Sequence, residues 1–183
     1  VAAERRPSRP GRGESLRRLA EILRVDHAGE LGAVHIYRGQ RAVLSRGRTS
    51  ETLARMQAQE EAHLQRFEAL LAERRVRPTL LAPVWRVAGF ALGAGTALIS
   101  ESAAHACTEA VETVIEDHYA GQITELEPRE SGLAKELSAF RDDELAHREE
   151  AIAEGSRAAP AHAALTAVIR AGCRAAIRLS ERI

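Results

Sequence analysis

Residues 59–63 read QEEAH and residues 143–147 read DELAH. Each stretch carries a Glu-x-x-His, Glu60 with His63 and Glu144 with His147. A spacing of three puts both side chains on one helix face, a turn apart, where they can grip one metal ion. An isolated glutamate precedes each pair: Glu30 stands ahead of Glu60, and Glu112 stands ahead of Glu144 at nearly the same separation. The numbering repeats at an offset of 82 for the isolated glutamates and 84 for the Glu-x-x-His pairs, so the chain reads as a duplicated helical hairpin.

Helical phase places these groups. Leu53, Met56, Glu60, His63, Phe67 and Leu70 step by three and four. Leu133, Leu137, Phe140, Glu144, His147 and Ala151 do the same. Ile22, Asp26, Glu30, Ala33 and Tyr37 form a third stripe, and Thr108, Glu112, Ile115 and Tyr119 a fourth. The charged residues therefore sit inside apolar stripes that face a core. An isolated carboxylate there is very costly and must pair, protonate or bind metal. Two Glu plus two Glu-x-x-His, one contribution per helix, is the ligand rule of ferritin-like di-iron and di-manganese bundles. Two divalent ions balance four glutamates, and an oxygen and imidazole set suits iron or manganese. Glu60 and Glu144, each one turn from a histidine, are the bridging candidates, with Glu30 and Glu112 terminal. One Glu-x-x-His alone would read as exposed charge on an amphipathic helix; two in core phase, each with an upstream glutamate, do not.

The rest of the chain agrees with an all-α fold. Aromatic residues are only 3% and apolar residues 45%, a mix that favours helix packing. Helices are expected over Leu16–Ser45, Ser50–Arg75, Ser102–Leu126 and Ser131–Ala153, with a last one from Pro160 to the end. Thr49 or Ser50 is the expected N-cap of the second. The uncharged run Val87–Ile99 spans 13 residues, roughly 20 Å as a helix against a bilayer core of about 30 Å. It is expected not to cross a membrane. The fold class is a ferritin-like four-helix bundle with two additional shorter helices. Residues 1–14, rich in Arg, Pro and Gly, read as a disordered arm, and 15–183 as one domain.

Several classes are excluded. Lys+Arg and Asp+Glu are 26 each, which gives no general argument for nucleic acid binding. The two cysteines, Cys107 and Cys173, form no CxxC pair, which rules out zinc ribbons and four-thiolate iron sites. They read as small buried hydrophobes. The only dense glycines, GFALGAGTA at 89–97, lie in an apolar run rather than after a strand, so no dinucleotide fingerprint is present.

The motifs RVDHAGELGA (24–33), QEEAHLQRF (59–67), RVRPTLLAPVWRVAGFALGAGTALI (75–99), ACTEAVETVIEDHY (106–119), FRDDELAH (140–147) and AGCRAAIRLSERI (171–183) together resemble the demethoxyubiquinone hydroxylases of ubiquinone biosynthesis. The resemblance runs from about residue 16 to 183. It implies the metal ligands Glu30, Glu60, His63, Glu112, Glu144 and His147, the six that phase selects. It also implies two iron ions, O2 and NADH as co-substrates without a dedicated NADH domain, and hydroxylation of a quinone ring. A polyprenyl quinone substrate implies a peripheral place on a membrane, at the matrix side of the mitochondrial inner membrane or the cytoplasmic face of a bacterial one. Other ubiquinone-biosynthesis proteins, including a lipid-binding partner in a mitochondrion, and a homo-oligomer are the implied associations.

Other residues carry two readings each. Tyr119, seven after Glu112, and His118 are candidates for a proton or electron relay, or for core packing. Asp26 and Asp143 are candidates to orient ligands; Asp143 reads rather as a solvated charge. His27 reads as structural and Glu101 with His105 as a surface pair, while His35 and His162 carry no distinguishing context. Val84, Trp85, Phe90, Leu92, Leu98 and Ile99 line a tail channel, dip into the interface or pack a buried helix. Arg170, Arg174, Arg178 and Arg182 recur every four residues, facing lipid headgroups or solvent. The competing function is a ferritin-like iron oxidase or storage protein, which shares the ligands but has no use for a long apolar segment.

Overall fold

The computed structural model describes residues 12–183. The expected arm over 1–14 therefore lies outside the described residues, except that α1 already begins at Arg12. The order is α1 (Arg12–Val43), α2 (Arg48–Arg74), α3 (Ala82–Ile99), α4 (Glu101–Leu126), α5 (Ser131–Ala153), a single 3-10 turn at Ser156–Ala158, and α6 (His162–Arg182). No strand occurs among the described residues. The long helices α1, α2, α4 and α5 form the bundle expected from the sequence. The added α3 and α6 cover its α1 and α4 side.

The ends follow local chemistry. Gly47, at φ 82°, turns the chain tightly enough for α2 to start at Arg48. Thr49 and Ser50, the expected caps, therefore fall inside the first turn. Arg75 ends α2 in the left-handed region at φ 54°, and the Val76 amide reaches back to the Leu71 carbonyl at 2.8 Å, closing the helix as a Schellman-type cap. Only Ser100 separates α3 from α4; its Oγ accepts from the Ala103 amide at 3.0 Å, satisfying one of the orphan donors.

α3 differs most from expectation. It spans 18 residues, not 13, because Pro83 sits in the first turn, where its missing N–H is harmless, and Arg86 continues the helix. At roughly 27 Å it is long and apolar enough to cross a membrane by length and composition, so the length argument against crossing fails. Packing decides instead how it lies. Its backbone runs against α1 so closely that a Cβ on Gly93 would stand 2.0 Å from the Ile36 carbonyl oxygen, and one on Gly39 2.2 Å from that of Phe90. Glycine is required at both crossing points, since any side chain would force the helices apart.

α2 and α5 run antiparallel and are joined along their outer edges by ion pairs. Arg48 meets Glu154, Arg55 meets Glu150 and Arg66 meets Glu136, while Arg74 bonds Glu130 at 2.9 Å. Exposed pairs contribute little each, but together they set the register of the two helices that carry the Glu-x-x-His motifs.

Candidate metal centre

Each of the four long helices delivers its expected group to one place. Glu30 comes from α1, Glu60 and His63 from α2, Glu112 from α4, and Glu144 and His147 from α5. All six are between 0 and 4% exposed. They form two overlapping sets: Glu30, Glu60, His63 and Glu144, and Glu60, Glu112, Glu144 and His147. Within each set one ligand-type atom per residue lies within 4.8 Å of the others. Glu60 and Glu144 belong to both, the two expected as bridges.

The remaining bonds leave this arrangement primed for cations. Tyr119 donates its hydroxyl to Glu30 Oε1, and Tyr37 donates to Glu112 Oε1 at 2.8 Å. Both tyrosines sit seven residues after a glutamate of one half and reach the glutamate of the other. Tyr119, read from the sequence as a relay or a core tyrosine, thus touches the cluster. Tyr37 entered the sequence reading only as a member of a stripe, although the offset of 82 from Tyr119 marks it. The histidines are held crosswise as well. His63 Nε2 donates to Asp143 Oδ2 at 3.1 Å, and His147 Nε2 donates to Gln59 Oε1 at 3.1 Å. Both partners present an oxygen that only accepts, so each Nε2 carries a proton and Nδ1 is the nitrogen turned inward to the carboxylates. Asp143 is accordingly not a mere solvated charge, and its histidine is that of α2 rather than its own helix. Gln59 was not singled out by the sequence.

Eight buried atoms of the cluster make no hydrogen bond and face only one another: Glu30 Oε2, both oxygens of Glu60, His63 Nδ1, Glu112 Oε2, both oxygens of Glu144, and His147 Nδ1, with His147 Nδ1 3.0 Å from Glu60 Oε1 and His63 Nδ1 3.4 Å from Glu144 Oε1. Buried polar atoms are ordinarily satisfied. Burial, reinforced by the Glu144 charge, pushes Glu60 and Glu112 well above the usual carboxylate range. Burial also raises Glu144. Burial lowers His147. For His63 burial acts downward, but Glu144 and Glu30 outweigh it and raise the imidazole to about 10. Without cations the cluster is an electrostatic burden on the fold.

The other candidates separate clearly. His118 touches no proposed ligand; it faces Gln122 and Asp26. His105, expected on the surface beside Glu101, is 1% exposed. The turn after α5 folds over the start of α4, packing Ala159 on Ala103 and Ala106. His162 bonds Glu109 at 2.9 Å, and Ser156 donates to the same carboxylate, which ties α6 to α4. His35 Nδ1 lies 2.9 Å from its own helix's Leu31 carbonyl, and His27 is buried. Cys107 is buried and Cys173 partly so; burial pushes Cys107 up to about 12 and Cys173 to about 11, which leaves them inert.

An apolar groove of about 400 Å³ runs between α1, α3, α4 and α6. Gly29, Gly32 and Ile36 of α1, Leu92 of α3, Val111 of α4 and Gly172 of α6 line it. Gly29 adjoins Glu30 and Val111 adjoins Glu112, so its floor is the back of the helices that carry the cluster. Trp85 lines it too, its indole donating to Ser180 Oγ at 2.9 Å. Val84, Phe90, Leu98 and Ile99 point outward and are exposed. Arg174, Arg178 and Arg182 are exposed, and Arg170 is half-buried.

Fold and site together define a ferritin-like bundle built around a buried glutamate–histidine cluster. Residues 17–180 match the profile of a family described as ubiquinone biosynthesis protein COQ7. The 3-demethoxyubiquinol 3-hydroxylase of Rhodospirillum rubrum is 50% identical over 184 aligned positions, covering 100% of this chain and 85% of that protein. The mitochondrial NADPH-dependent 3-demethoxyubiquinone 3-hydroxylase of Mus musculus is 50% identical over 165, covering 88% of this chain and 76% of its own length. The mitochondrial 5-demethoxyubiquinone hydroxylase of Saccharomyces cerevisiae is 44% identical over 182, covering 90% and 78%. The chain belongs to the demethoxyubiquinone hydroxylase family.

Proposed function

We infer that this chain is an oxidoreductase that hydroxylates the ring of a demethoxyubiquinone-type intermediate in ubiquinone biosynthesis, using two iron ions and O2. The observation that carries the metal reading is the set of eight buried ligand atoms that face only one another, divided between two groups that share Glu60 and Glu144. Glu60 and Glu144, which belong to both groups, would be shared by the two ions. Glu30 and Glu112, each with one oxygen committed to a tyrosine, would each hold one. His63 and His147 would complete the two positions through Nδ1. The donors are oxygen and imidazole, which suits iron, and two divalent cations neutralise the four carboxylates.

Bound iron supplies O2 activation. The chain's own residues supply position. Tyr37 and Tyr119 fix the terminal carboxylates, while Asp143 and Gln59 fix the imidazole tautomers, the outer support that metal ligands generally need. The groove, almost wholly apolar, accepts the polyprenyl chain and excludes water. The electrons come from a nicotinamide donor such as NADH. Supplying the iron-loaded protein with a short-tailed demethoxyquinone, NADH and O2 is expected to yield the hydroxylated ring by mass spectrometry. Absence of that product with two irons per chain would overturn the reaction.

The substrate's tail places the protein on a membrane surface, on the matrix side in a mitochondrion or the cytoplasmic face in a bacterium, among other proteins of the same pathway. Val87 and Leu98 of α3 and Val168 of α6 are 72%, 74% and 71% exposed, apolar side chains on the two helices that border the groove, and α6 also exposes Arg174 and Arg178. Such a combination suits the headgroup–acyl boundary. Val87→Asp combined with Leu98→Asp is expected to remove most sedimentation with vesicles containing anionic lipid; unchanged sedimentation would refute this docking face.

A further inference from the structure

The internal duplication provides its own control. At the offset of 82, Glu30 corresponds to Glu112, Tyr37 to Tyr119 and Gln40 to Gln122. Two correspondences break the symmetry: Asp26 stands where the other half has Thr108, and His118 where it has Ile36. Around Thr108, Gln40 Nε2 donates to the Ala104 carbonyl at 2.9 Å and approaches Thr108 Oγ1 at 3.5 Å. Nothing there ionises, and Ile36 lines the groove. Around Asp26, Gln122 Nε2 donates to Asp26 Oδ1 at 2.7 Å. The same amide nitrogen lies 2.9 Å from His118 Nε2, which stands 3.6 Å from Asp26 Oδ1. The second carboxylate oxygen, Asp26 Oδ2, is buried with no partner. The His118 side chain is 20% exposed and that of Asp26 1%, so the pair runs from solvent to interior.

We propose that His118 and Asp26 form the route by which protons from solvent reach the buried cluster, with Gln122 holding the two in register. The proposal rests on the hydroxylase reading. That reaction consumes protons: a ring C–H, O2, two electrons from the nicotinamide donor and two protons give a ring C–OH and one water. One oxygen atom enters the C–H bond, and the other leaves as water with both protons. Asp143, hydrogen-bonded to His63 and 40% exposed, opens the cluster on the α5 side; on the Glu30 side His118 and Asp26 are the ionisable groups that lead inward from solvent. With His118 neutral, Gln122 donates to its Nε2. A proton taken up there turns Nε2 into a donor toward Asp26 Oδ1. Asp26 lies one helical turn before Glu30 on α1, and Glu30 accepts from Tyr119, the residue after His118 on α4. The pair therefore stands beside the Glu30 half of the cluster only, where the Glu30 charge acts on Asp26, and in this proposal it makes the centre functionally asymmetric. Burial raises the Asp26 carboxyl against the opposing pull of His118 and Gln122, with Glu30 adding to the rise; this allows it to hold a proton in transit.

The bland alternative is a clamp between α1 and α4, and Asp26→Asn keeps that clamp. In the full-length iron-loaded protein, Asp26→Asn and His118→Gln are expected to retain two irons and the parent melting temperature. Their kcat falls about 100-fold, within the range of a lost proton transfer, KM stays unchanged, and the solvent deuterium isotope effect on kcat increases. Free imidazole restores much of the rate to His118→Ala, and Thr108→Val leaves it unaltered. Infrared spectra recorded across a pH titration give an independent readout: a carboxyl band that Asp26→Asn removes and whose midpoint His118→Gln shifts. An unchanged kcat and isotope effect, or a rate loss that tracks iron loss, would overturn the proposal. A parent protein that forms no hydroxylated ring would instead overturn the reaction, while the infrared band still reports on Asp26.

Discussion

Glu144→Ala is expected to empty both proposed iron positions, whereas Glu112→Ala is expected to empty one. Glu144 and Glu60 occur in both four-residue sets, while Glu112 and Glu30 occur in one each. Iron per chain is therefore expected to fall from about two to near zero for Glu144→Ala or Glu60→Ala, and to about one for Glu112→Ala. Hydroxylation fails in all of them. Metal ions contribute several kcal/mol to such a reaction, and each 1.36 kcal/mol is tenfold in rate, so the loss is on the order of 1,000-fold or more. Circular dichroism should show the helices intact, because the substitution removes a buried charge and leaves the apolar stripes in place. Retention of two irons by Glu144→Ala would refute the bridging role.

The metal-free protein is expected to lose stability as pH rises from about 5 to 8, and iron to restore it. Glu60, Glu112 and Glu144 have folded-state pKa values above the ordinary value of 4.5. The folded chain then binds more protons than the unfolded one above that pH, so stability falls with rising pH. His63, raised to about 10, acts in the same direction between its ordinary 6.5 and that value. His147, His27 and His105, all lowered by burial, act oppositely around 6.5; they are three groups against the four above and Asp26, which burial raises too. Iron at 1,000 times its Kd stabilises by about 4 kcal/mol, roughly 8–16 °C in a chain of this size. The gain should be largest near pH 8, since binding at lower pH must displace protons. Calorimetry of metal-free and iron-loaded protein at both pH values checks this. A metal-free protein more stable at pH 8 than at pH 5 would contradict it.

The six proposed ligands were legible because two independent signals coincide on them: a repeated spacing and a phase that buries charge among Leu, Met and Phe. Their supports were less legible. Gln59 and Asp143 each precede a histidine by four residues, yet each serves the histidine of the other helix. Only the antiparallel packing of α2 on α5 makes that crossing, and no local pattern contains it. Tyr37 could have been found by applying the offset of 82 to Tyr119. The start of α3 was missed because Pro83 reads as a breaker, although a first-turn proline is not one. His105 looked exposed through its spacing from Glu101. The segment that buries it comes much later in the chain, around the 3-10 turn at Ser156–Ala158, and long-range coverage leaves no mark on the helix it covers.

The ion pairs between α2 and α5 bear on how the chain came to have two halves. All four arginines are on α2 and all four glutamates on α5 or at its edges. Arg66 and Glu150 are equivalent positions at the offset of 84, with opposite charge. Were the first hairpin to associate with a second copy of itself, Arg55 would face Arg66 of the copy. Were the second to do so, Glu136 would face Glu150. Each half thus repels its own kind and accepts only the other. A symmetric ancestor cannot have held this ladder, and its polarity now guards a growing or unfolded chain against pairing with the wrong neighbour.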